Sequence, residues 1–338
     1  MNNNKCYIIA EAGLNHNGSL DLAMKLIDIA SQSEVDAVKF QKRTISELAI
    51  EKELNKKDER FPSFGNTYGE IRTFLEFNLE EYISLKKYSE ELGLDFIVTP
   101  FDIKAVDFLE KINLQIYKLA SHSITNLDLL HKVASLNKTT ILSTGMSEIE
   151  DIDKAVEIFK NYKNEKLSLL HCISAYPTPL HECNLSMINF YKKRYKIKIG
   201  YSGHEIGYLP SLTAASLGAD IIERHHTIDK KMEGFDHKLS LEPNELKEMT
   251  LSIRSINKIL GHPDKSISET EMITKKKYNV SMVSNQFIKK GEIINKSQIS
   301  YKNPGTGILP KFENDILGKE TNVDIEKDTL IKYEMFIN

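Results

Sequence analysis

The sequence predicts an α/β protein: a closed (β/α)8 (TIM) barrel followed by a small β-rich domain. Eight short apolar segments of strand length alternate with eight helical patterns, and such alternation is typical of βαβ units in a parallel sheet. Eight strand–helix pairs within about 260 residues fit a closed barrel better than an open, doubly wound sheet. After Leu260 the helical periodicity gives way to alternating apolar residues and turn signals, which indicates a separate small unit.

The predicted strands share an apolar run of four or five residues that is bounded by polar or turn residues. In chain order they are Tyr7–Ala10, Ala37–Gln41, Asp95–Thr99, Ile116–Leu119, Thr140–Ser143, Leu167–His171, Ile197–Tyr201 and Asp220–Arg224. The predicted helices that follow them are Leu20–Ser31, Leu79–Leu92, Asp102–Lys111, Asn126–Ser135, Glu148–Lys160, Leu185–Lys193, Leu209–Leu217 and Pro243–Leu260. Ser19 and Asn184 are expected N-caps, and Pro210 and Pro243 stand at helix starts.

One connection is much longer than the others. Lys42–Asn78 lies between the second strand and the second helix, is rich in charge and contains Pro62, Gly65 and Gly69. Long loops in compact domains are usually either functional or disordered. Because this segment follows a strand, it belongs to the active face of a barrel, and we expect it to cover the substrate.

The chain is predicted to divide at the end of the last helix. Residues 1–260 form the predicted barrel, and residues 261–278, which include the basic run Lys275–Lys277, are interpreted as a linker. Residues 279–338 form the predicted β-rich domain. A segment of about 60 residues makes a marginal core by itself, so we expect this domain to pack against another surface.

The composition is that of an ordinary globular protein: 338 residues, 41% hydrophobic, 28% charged, with a net charge of -3. This balance gives no reason to expect binding to nucleic acid or to an anionic membrane. No apolar run approaches the ~20 residues of a membrane helix, and the start runs directly into Tyr7–Ala10, so we expect no signal peptide. Cys6, Cys172 and Cys183 are too few and too scattered for a disulfide framework, so we expect a cytoplasmic protein.

Polar side chains collect where the predicted strands end, which is where barrel enzymes bind their substrates. The residues at or just beyond these ends include Glu11, Lys39, Gln41, Thr99, Ser121, His122, Ser123, Ser143, Tyr176, Ser202, His204, His225 and Asp236. Each one alone has an ordinary structural interpretation, such as a helix cap or a hydrogen-bonded core residue. Together they predict a single polar ring at one rim of the barrel.

Within this ring, Lys39 lies in the apolar run of a strand that a barrel would bury, so its charge needs an anion. The hydroxyls that would converge with it are those of Thr99, Ser121, Ser143 and Ser202. One lysine with several hydroxyls is typical of a phosphate site. Alternatively, Lys39 or Lys118 forms a Schiff base as in some barrel aldolases, although this leaves the hydroxyls without a role.

Two histidines, His204 and His225, end the seventh and eighth predicted strands. Neutral imidazoles at neighbouring strand ends can share one divalent ion, and this pair suits Mn²⁺, Mg²⁺, Co²⁺ or Zn²⁺ about equally. Each could instead be a hydrogen-bonded core histidine. His226 follows His225 directly, so it should point to the opposite side of its strand.

Several ordered stretches carry a family resemblance. They are Ile9–Gly18, Ala37–Gln41, Thr99–Asp102, Ser143–Met146, Tyr176–Pro179, Ser202–His204, Glu223–His225 and Met232–His237, and in the tail Ile288–Glu292, Pro304–Ile308 and Ile316–Lys319. The chain resembles the sialic (nonulosonic) acid synthases, and its tail resembles the antifreeze-like SAF domain that closes these enzymes. Members condense phosphoenolpyruvate with an N-acetylated hexosamine to give a nine-carbon 2-keto acid. The resemblance covers nearly the whole chain.

What the resemblance implies can be carried over position by position. It implies phosphoenolpyruvate contacts at Lys39, Thr99, Ser121, Ser143 and Ser202. It implies sugar or catalytic contacts at Glu11, Gln41, Tyr176 and Asp236, and metal ligands at His204 and His225, with Mn²⁺ before Mg²⁺ or Co²⁺. It also implies a homodimer in which the SAF domain of one chain covers the barrel mouth of the other, acting in the synthesis of surface polysaccharide or glycans.

Three positions on the sugar side depart from the family pattern. The family's Gly-Glu after the strand-four serine is His122-Ser123 here, its asparagine after His-Cys is Ile173, and its arginine before Pro-Gly is Asn303. The lost groups would remove hydrogen bonds worth ~1–3 kcal/mol each. We therefore expect a different acceptor, a 2,4-diacetamido-trideoxy hexose of the legionaminic or pseudaminic type, with His122, Ser123 and Asn303 near the sugar.

Other functions stay open at this point. One is an N-acetylneuraminate synthase that uses N-acetylmannosamine. Another is a 3-deoxy-ulosonate phosphate synthase, whose acceptor phosphate Arg60 and Arg72 of the long segment would bind. A third is a non-catalytic sugar-binding homologue, against which Lys39, His204 and His225 argue because a binding module needs no metal.

Overall fold

A computed structural model describes residues 5–261 and 263–337, except for the side chain of Asn257. The predicted domain limits at residues 1 and 338, and position 262 of the predicted linker, lie outside this described part. The chain divides into two compact units, Met1–Gly261 and His262–Asn338. Across the described residues, none of the helices combines the length and apolar character needed to cross a membrane.

The first unit is a closed barrel of eight parallel strands in sequence order, with β1 pairing with β8. The strands are β1 (Tyr7–Gly13), β2 (Ala37–Lys42), β3 (Asp95–Pro100), β4 (Ile116–Leu119), β5 (Thr139–Ser143), β6 (Leu167–Cys172), β7 (Lys198–Gly203) and β8 (Ile221–His225). The helices are α1 (Leu20–Gln32), α2 (Ile45–Leu48), α3 (Glu51–Leu54), α4 (Tyr68–Phe74), α5 (Leu79–Glu91), α6 (Ile103–Glu110), α7 (Leu127–Ser135), α8 (Ile149–Asn161), α9 (Met187–Tyr195), α10 (Leu209–Ser216) and α11 (Pro243–Leu260). The predicted (β/α)8 fold is confirmed.

Some helices begin at the capping or proline residues predicted from the sequence, and one does not. The Ser19 hydroxyl accepts a hydrogen bond from the backbone N–H of Leu22 at 3.3 Å, as an N-cap does. Pro243 is the first residue of α11, where its missing N–H costs nothing. The expected cap at Asn184 is wrong: α9 begins at Met187, because Asn184 lies outside the helix in a left-handed conformation with φ 40°.

Side chains of the barrel strands alternate between two cores. One set packs outward against the helices, as Ile8, Val38 and Val98 do. The other set fills the barrel interior and consists of Tyr7, Ile9, Ala37, Ile97, Ile141, Leu170 and Ile221, with Ile116 packed against them. Because strand side chains alternate with a period of two, the residues two positions beyond this apolar layer also face the interior, nearer the carboxyl ends.

The long segment after β2 is folded rather than open. It contains the short helices α2, α3 and α4, and it contributes Phe61, Phe64, Ile71 and Leu75 to an apolar cluster. This cluster also includes Leu14, just after β1, and Phe235, beyond β8. The segment is thereby packed against loops at the carboxyl end of the barrel, the face that the sequence predicted for it.

The second unit has a small core of its own. Strands β9 (Ser281–Ser284) and β10 (Ile299–Lys302) pair antiparallel. The core residues are Met282, Ile288, Ile294, Ile299, Ile308, Ile316, Ile325, Ile331 and Phe336. The residues interpreted as a linker include a helix, α12 (Glu269–Tyr278), because Ser268 caps its start and the basic run Lys275–Lys277 falls in its last turn, where cations favour a helix.

Candidate active site

A cavity of about 260 Å³ opens at the carboxyl ends of the barrel strands. The floor and walls of this cavity are formed by the interior-facing strand residues that lie one layer closer to the carboxyl ends than the apolar layer. These residues are mostly polar: Glu11, Lys39, Thr99, Lys118, Ser143, Cys172, Ser202 and Glu223. Gln41, His204 and His225, which lie two residues further along the chain than members of this polar layer, also line the cavity. Because strand side chains alternate between the two faces, residues from eight separate segments line the same cavity.

Two buried lysines and two buried glutamates occupy the deep part of this cavity. Lys39 Nζ lies 2.7 Å from Glu11 Oε2 and 3.7 Å from Glu223 Oε2, and Lys118 Nζ lies 3.8 Å from Glu223 Oε1. Burial acts to lower the pKa of Lys39, but Glu11 and Glu223 outweigh it and raise that pKa. Burial lowers the pKa of Lys118, which Glu223 only partly offsets. Both amines thus point into one buried volume that suits an anionic substrate.

All four predicted hydroxyls line the cavity, and neighbouring groups orient them. Thr99 and Ser143 accept hydrogen bonds from the two lysines, at 3.3 and 2.6 Å. Ser202 donates to one of the glutamates at 2.9 Å, and Ser121 accepts from a backbone N–H at 3.0 Å. Lysines and hydroxyls arranged in this way can make charge-assisted hydrogen bonds to phosphate oxygens.

His204 and His225 face one another, with ring centroids 5.5 Å apart. The Nδ1 of His204 lies 2.9 Å from the carbonyl oxygen of Ile173, so it donates there and leaves the Nε2 lone pair free. The Nδ1 of His225 is buried without a hydrogen-bond partner and lies 3.8 Å from the Asp236 carboxylate. Burial lowers the pKa of both histidines, which favours the neutral form that binds metals.

These residues fit a divalent cation that keeps open positions. The orphaned Nδ1 of His225 and the free lone pair of His204 are two nitrogen ligands of the type that Mn²⁺, Co²⁺ and Zn²⁺ accept. In the part of the chain that the structure covers, no group of three or more His, Cys, Asp or Glu residues is arranged to hold a metal. An ion bound here would therefore take further ligands from water or substrate, as in an open catalytic site.

The residues predicted to be catalytic also line the cavity. Gln41 Nε2 donates to Glu11 Oε1 at 2.6 Å, and the Tyr176 ring lies against His204 with centroids 4.2 Å apart. Asp236 follows β8 and faces His225. His226 points away from the cavity, with its Nε2 3.0 Å from a backbone carbonyl of α1, which confirms the predicted alternation.

Of the residues predicted to contact the sugar, only some line the cavity. His122 lines the cavity, and its ring lies tilted against Phe101 with the ring centroids 4.7 Å apart. Ser123 does not line it: in the short turn after β4 its hydroxyl lies behind His122, 3.2 Å from that ring's Nε2. Ile173 acts through its carbonyl oxygen on His204 rather than through its side chain. Asn303 follows β10 and so belongs to the second compact unit.

Sequence reasoning missed several lining residues. The sequence suggests Lys118 only as a Schiff-base lysine and gives Glu223 no role, yet both lie two residues beyond inward-facing residues of their strands, Ile116 and Ile221, and so face the cavity. Arg43 was not singled out, and Arg72 was considered only for a sugar phosphate. Arg72 comes from the folded segment after β2, whose path no periodicity predicts.

A (β/α)8 barrel with such a ring of charged, hydroxyl and imidazole groups at the carboxyl ends of its strands has the arrangement of a barrel enzyme. The family comparison specifies it further. Residues 26–265 match the NeuB family and residues 280–337 match the SAF domain. The chain belongs to the NeuB family, and it is a transferase of the N-acetylneuraminate synthase type; the predicted family resemblance is confirmed.

Three relatives illustrate the similarity. The chain is 40% identical to N,N'-diacetyllegionaminic acid synthase of Campylobacter jejuni, over 97% of this chain and 99% of that protein. It is 36% identical to N-acetylneuraminate-9-phosphate synthase of Homo sapiens, over 98% and 93%. A crystal structure of N-acetylneuraminic acid synthetase from Leptospira borgpetersenii, in complex with citrate, superposes with a TM-score of 0.71 at 36% identity, covering 80% of this chain and 90% of that one.

Proposed function

We propose that this chain is a nonulosonic acid synthase that condenses phosphoenolpyruvate with an N-acetylated amino hexose and releases phosphate. The observation that supports it best is the cluster of two buried lysines and four hydroxyls beside a pair of facing histidines in one cavity. The cluster suits the phosphorylated donor, and the histidines suit the carbonyl of the acceptor. The named activities of the relatives support the same class of reaction.

The proposed reaction forms one C–C bond, forms one C–O bond from water to C2 and breaks the C–O bond between C2 and the phosphate. The electron pair of the enol double bond of phosphoenolpyruvate joins its C3 to the aldehyde carbon of the open-chain sugar, and the aldehyde oxygen takes up a proton. Water adds to the resulting cation at C2 and loses a proton. The bond between C2 and the phosphate oxygen then breaks, its electron pair leaves with the phosphate, and the C2 hydroxyl gives up its proton to the departing phosphate, so that C2 becomes a ketone. Donor, sugar and water thus give one 2-keto acid and inorganic phosphate.

Particular residues carry particular parts of this reaction. Lys39 and Lys118 hold the phosphate and carboxylate of the donor, together with the hydroxyls that they already contact. Glu11 or Asp236, carboxylates that line the cavity, moves the protons. A divalent ion on His204 and His225, Mn²⁺ in the first instance, would supply Lewis-acid polarisation of the sugar aldehyde.

Phosphate release from phosphoenolpyruvate, measured with a panel of N-acetylated amino sugars, tests this proposal. Release that depends on both substrates, with one nine-carbon acid formed per phosphate, is the expected result. A sugar-binding homologue would bind an amino sugar without releasing phosphate. Absence of release with every amino sugar, from a folded and metal-supplemented protein, would contradict the proposed function.

The acceptor that the sequence departures favour is a 2,4-diacetamido-trideoxy hexose. We expect its kcat/KM to exceed that of N-acetylmannosamine by roughly 10-fold or more, since two or three hydrogen bonds of ~1–3 kcal/mol differ between the sites. The relative named as a diacetyllegionaminic acid synthase supports this choice. Steady-state rates with both sugars at saturating phosphoenolpyruvate check it, and equal kcat/KM values would refute it.

We further propose that the working unit is a cytoplasmic homodimer in which residues 279–338 of one chain complete the site of the other. Exchange of identical elements is a low-cost route to a closed dimer. The second unit has its own apolar core, as a module that docks elsewhere requires.

A chain ending at Leu260 is therefore expected to lose most of its turnover while its barrel stays folded. Circular dichroism checks the fold of the truncated chain, and sedimentation of the full chain should give a dimer. A monomeric full chain, or a truncated chain with full turnover, would show that the tail does not complete the site.

A further inference from the structure

The carboxylate of Asp236 is held in place by the backbone of its loop rather than by hydrogen bonds of its own. It lies 3.8 Å from the Nδ1 of His225, and none of the described residues donates a hydrogen bond to it. On its carboxyl side the loop is anchored, because the Asp236 carbonyl accepts a hydrogen bond from the Ser240 hydroxyl at 2.7 Å. On its amino side residues 229–235 form neither helix nor strand, so their position depends on contacts with other segments.

Phe235, the residue directly before Asp236, is held by the long segment after β2. Its ring lies against Phe61, with the ring centroids 4.5 Å apart. The guanidinium carbons of Arg72 and Arg60 lie 4.2 and 5.1 Å from the centre of the same ring. Three side chains of the long segment therefore contact this one ring.

The Phe235 contact belongs to an apolar cluster, whereas the neighbouring attachment of the loop is exposed. Phe61 and Phe235 both pack against the buried side chains of that cluster. The Ser63 hydroxyl donates to Glu233 Oε2 at 2.6 Å, but both of these residues are exposed, where a hydrogen bond contributes little. The carbonyl of Glu233 is held separately, by the Asn17 amide at 2.8 Å. Loss of the Phe235 contact should therefore free the next residue without detaching the whole loop.

We propose that Phe235 is a positioning residue: through its contact with this ring, the long segment keeps Asp236 beside His225. The inference rests on the proposed condensation, in which Asp236 is one of the two carboxylates assigned to proton movement. Adjacent Cα atoms are about 3.8 Å apart, so a shift of Phe235 is passed directly to Asp236. Displacement of a reacting group by ~1 Å can cost a large factor in rate, so a contact outside the reaction centre affects turnover.

Phe61→Ala is the variant that tests this contact, because Phe61 touches the Phe235 ring but does not line the cavity. We expect kcat to fall roughly 10-fold, as in Phe235→Ala, since both changes remove one aromatic contact. Phe235→Tyr keeps the ring and should retain turnover, whereas Phe235→Leu, which preserves apolar volume without the ring, should lose it. The KM for phosphoenolpyruvate should change less than about threefold, because Lys39 and Lys118 are untouched.

A double-mutant cycle with Asp236→Asn separates positioning from a general effect on the fold. Asp236→Asn should lower kcat, and Phe61→Ala should then lower it less than about twofold further, because the group that it positions is gone. A purely structural role would lower kcat by the same factor in both backgrounds. Wild-type kcat in Asp236→Asn would overturn the inference and leave Glu11 as the carboxylate that moves protons in the condensation.

Hydrogen exchange of the substrate-free chain gives a readout that does not need turnover. The backbone N–H of Leu239 donates to the Asp236 carbonyl at 3.3 Å, so its exchange reports on the position of that residue. We expect Phe61→Ala to speed this exchange roughly 10-fold, because local opening becomes easier when one aromatic contact is lost. The amide of Met232, which donates to the Asp229 carbonyl at 3.2 Å, lies before the freed residues and should exchange as in the wild type.

Phe74→Ala is the matched control. Phe74 lies on α4 of the same long segment and stacks on Phe64 with centroids 5.1 Å apart, but it neither lines the cavity nor forms a ring contact with Phe235 among the described residues. Its variant should keep both the kcat and the Leu239 exchange rate of the wild type.

Unchanged kcat in Phe61→Ala would overturn the inference, whatever the exchange rate of the loop. A loss of kcat that is equally large in the Asp236→Asn background would overturn it too. Absence of phosphate release with every acceptor would contradict the proposed function instead, and hydrogen exchange would then decide the inference. Faster Leu239 exchange in Phe61→Ala than in Phe74→Ala would support it, and equal exchange would overturn it.

Discussion

The Lys39→Met variant is expected to lose roughly 10²- to 10³-fold in kcat/KM for phosphoenolpyruvate, with a much smaller change in the KM of the sugar. Lys39 is almost fully buried between Glu11 and Glu223. Removing one partner of a buried ion pair costs ~3–5 kcal/mol because the remaining charges lose their compensation. An incoming anionic donor would meet two carboxylates and only the Lys118 amine, so the loss should fall on the donor.

The matched control for this prediction is Lys138→Met. Lys138 precedes β5 at the opposite, amino-terminal end of the barrel, and it also pairs with a glutamate, Glu110, at 2.7 Å. Its loss should alter the free energy of unfolding by a modest amount and leave both KM values unchanged. Steady-state kinetics with each substrate varied in turn separates the two effects. A selective rise in the sugar KM of Lys39→Met would mean that the donor lies at the other end of the cavity.

Removal of a divalent ion is expected to abolish turnover, and His204→Ala is expected to have the same effect. The reason is that the two facing imidazoles have free ring nitrogens, while the sugar aldehyde needs polarisation before a weak carbon nucleophile can attack it. Elemental analysis of the purified chain should find about one divalent ion per chain in the wild type and close to none in His204→Ala. Added Mn²⁺ should restore the EDTA-treated wild type but not the variant.

His181→Ala provides the control for the metal experiment. His181 lies in the loop after β6, its side chain is 83% exposed, and its Nε2 lies 3.7 Å from Glu182 Oε1. This variant should keep both its metal content and its turnover. Full activity of the wild type after EDTA treatment, together with full activity of His204→Ala, would rule out the proposed metal role.

The fold was predictable to a large extent because its signals are local. Each barrel strand is a short apolar run, and helices such as α1, α7 and α8 have a regular apolar stripe, so the element order follows from the chain. An error falls where a turn overrides a propensity, as at Asn184, and the stretch that the sequence indicates as a linker contains helix α12. The placement of Ser123 also differs, because the short turn after β4 directs only part of its residues to the cavity.

The barrel, the rim at which polar groups collect and the pairing of His204 with His225 are all predictable from the order of residues in the chain. This is so because strand alternation and the order of a parallel barrel translate a position in the chain into a position in space. Which charges are paired with an opposite charge follows only from the packing of the folded chain. That Lys118 and Lys39 share Glu223, and that Arg72 stacks on Phe235 without a carboxylate partner among the described residues, depends on distances between segments far apart in the chain. Such distances are set by the packing of whole elements, which no local pattern encodes.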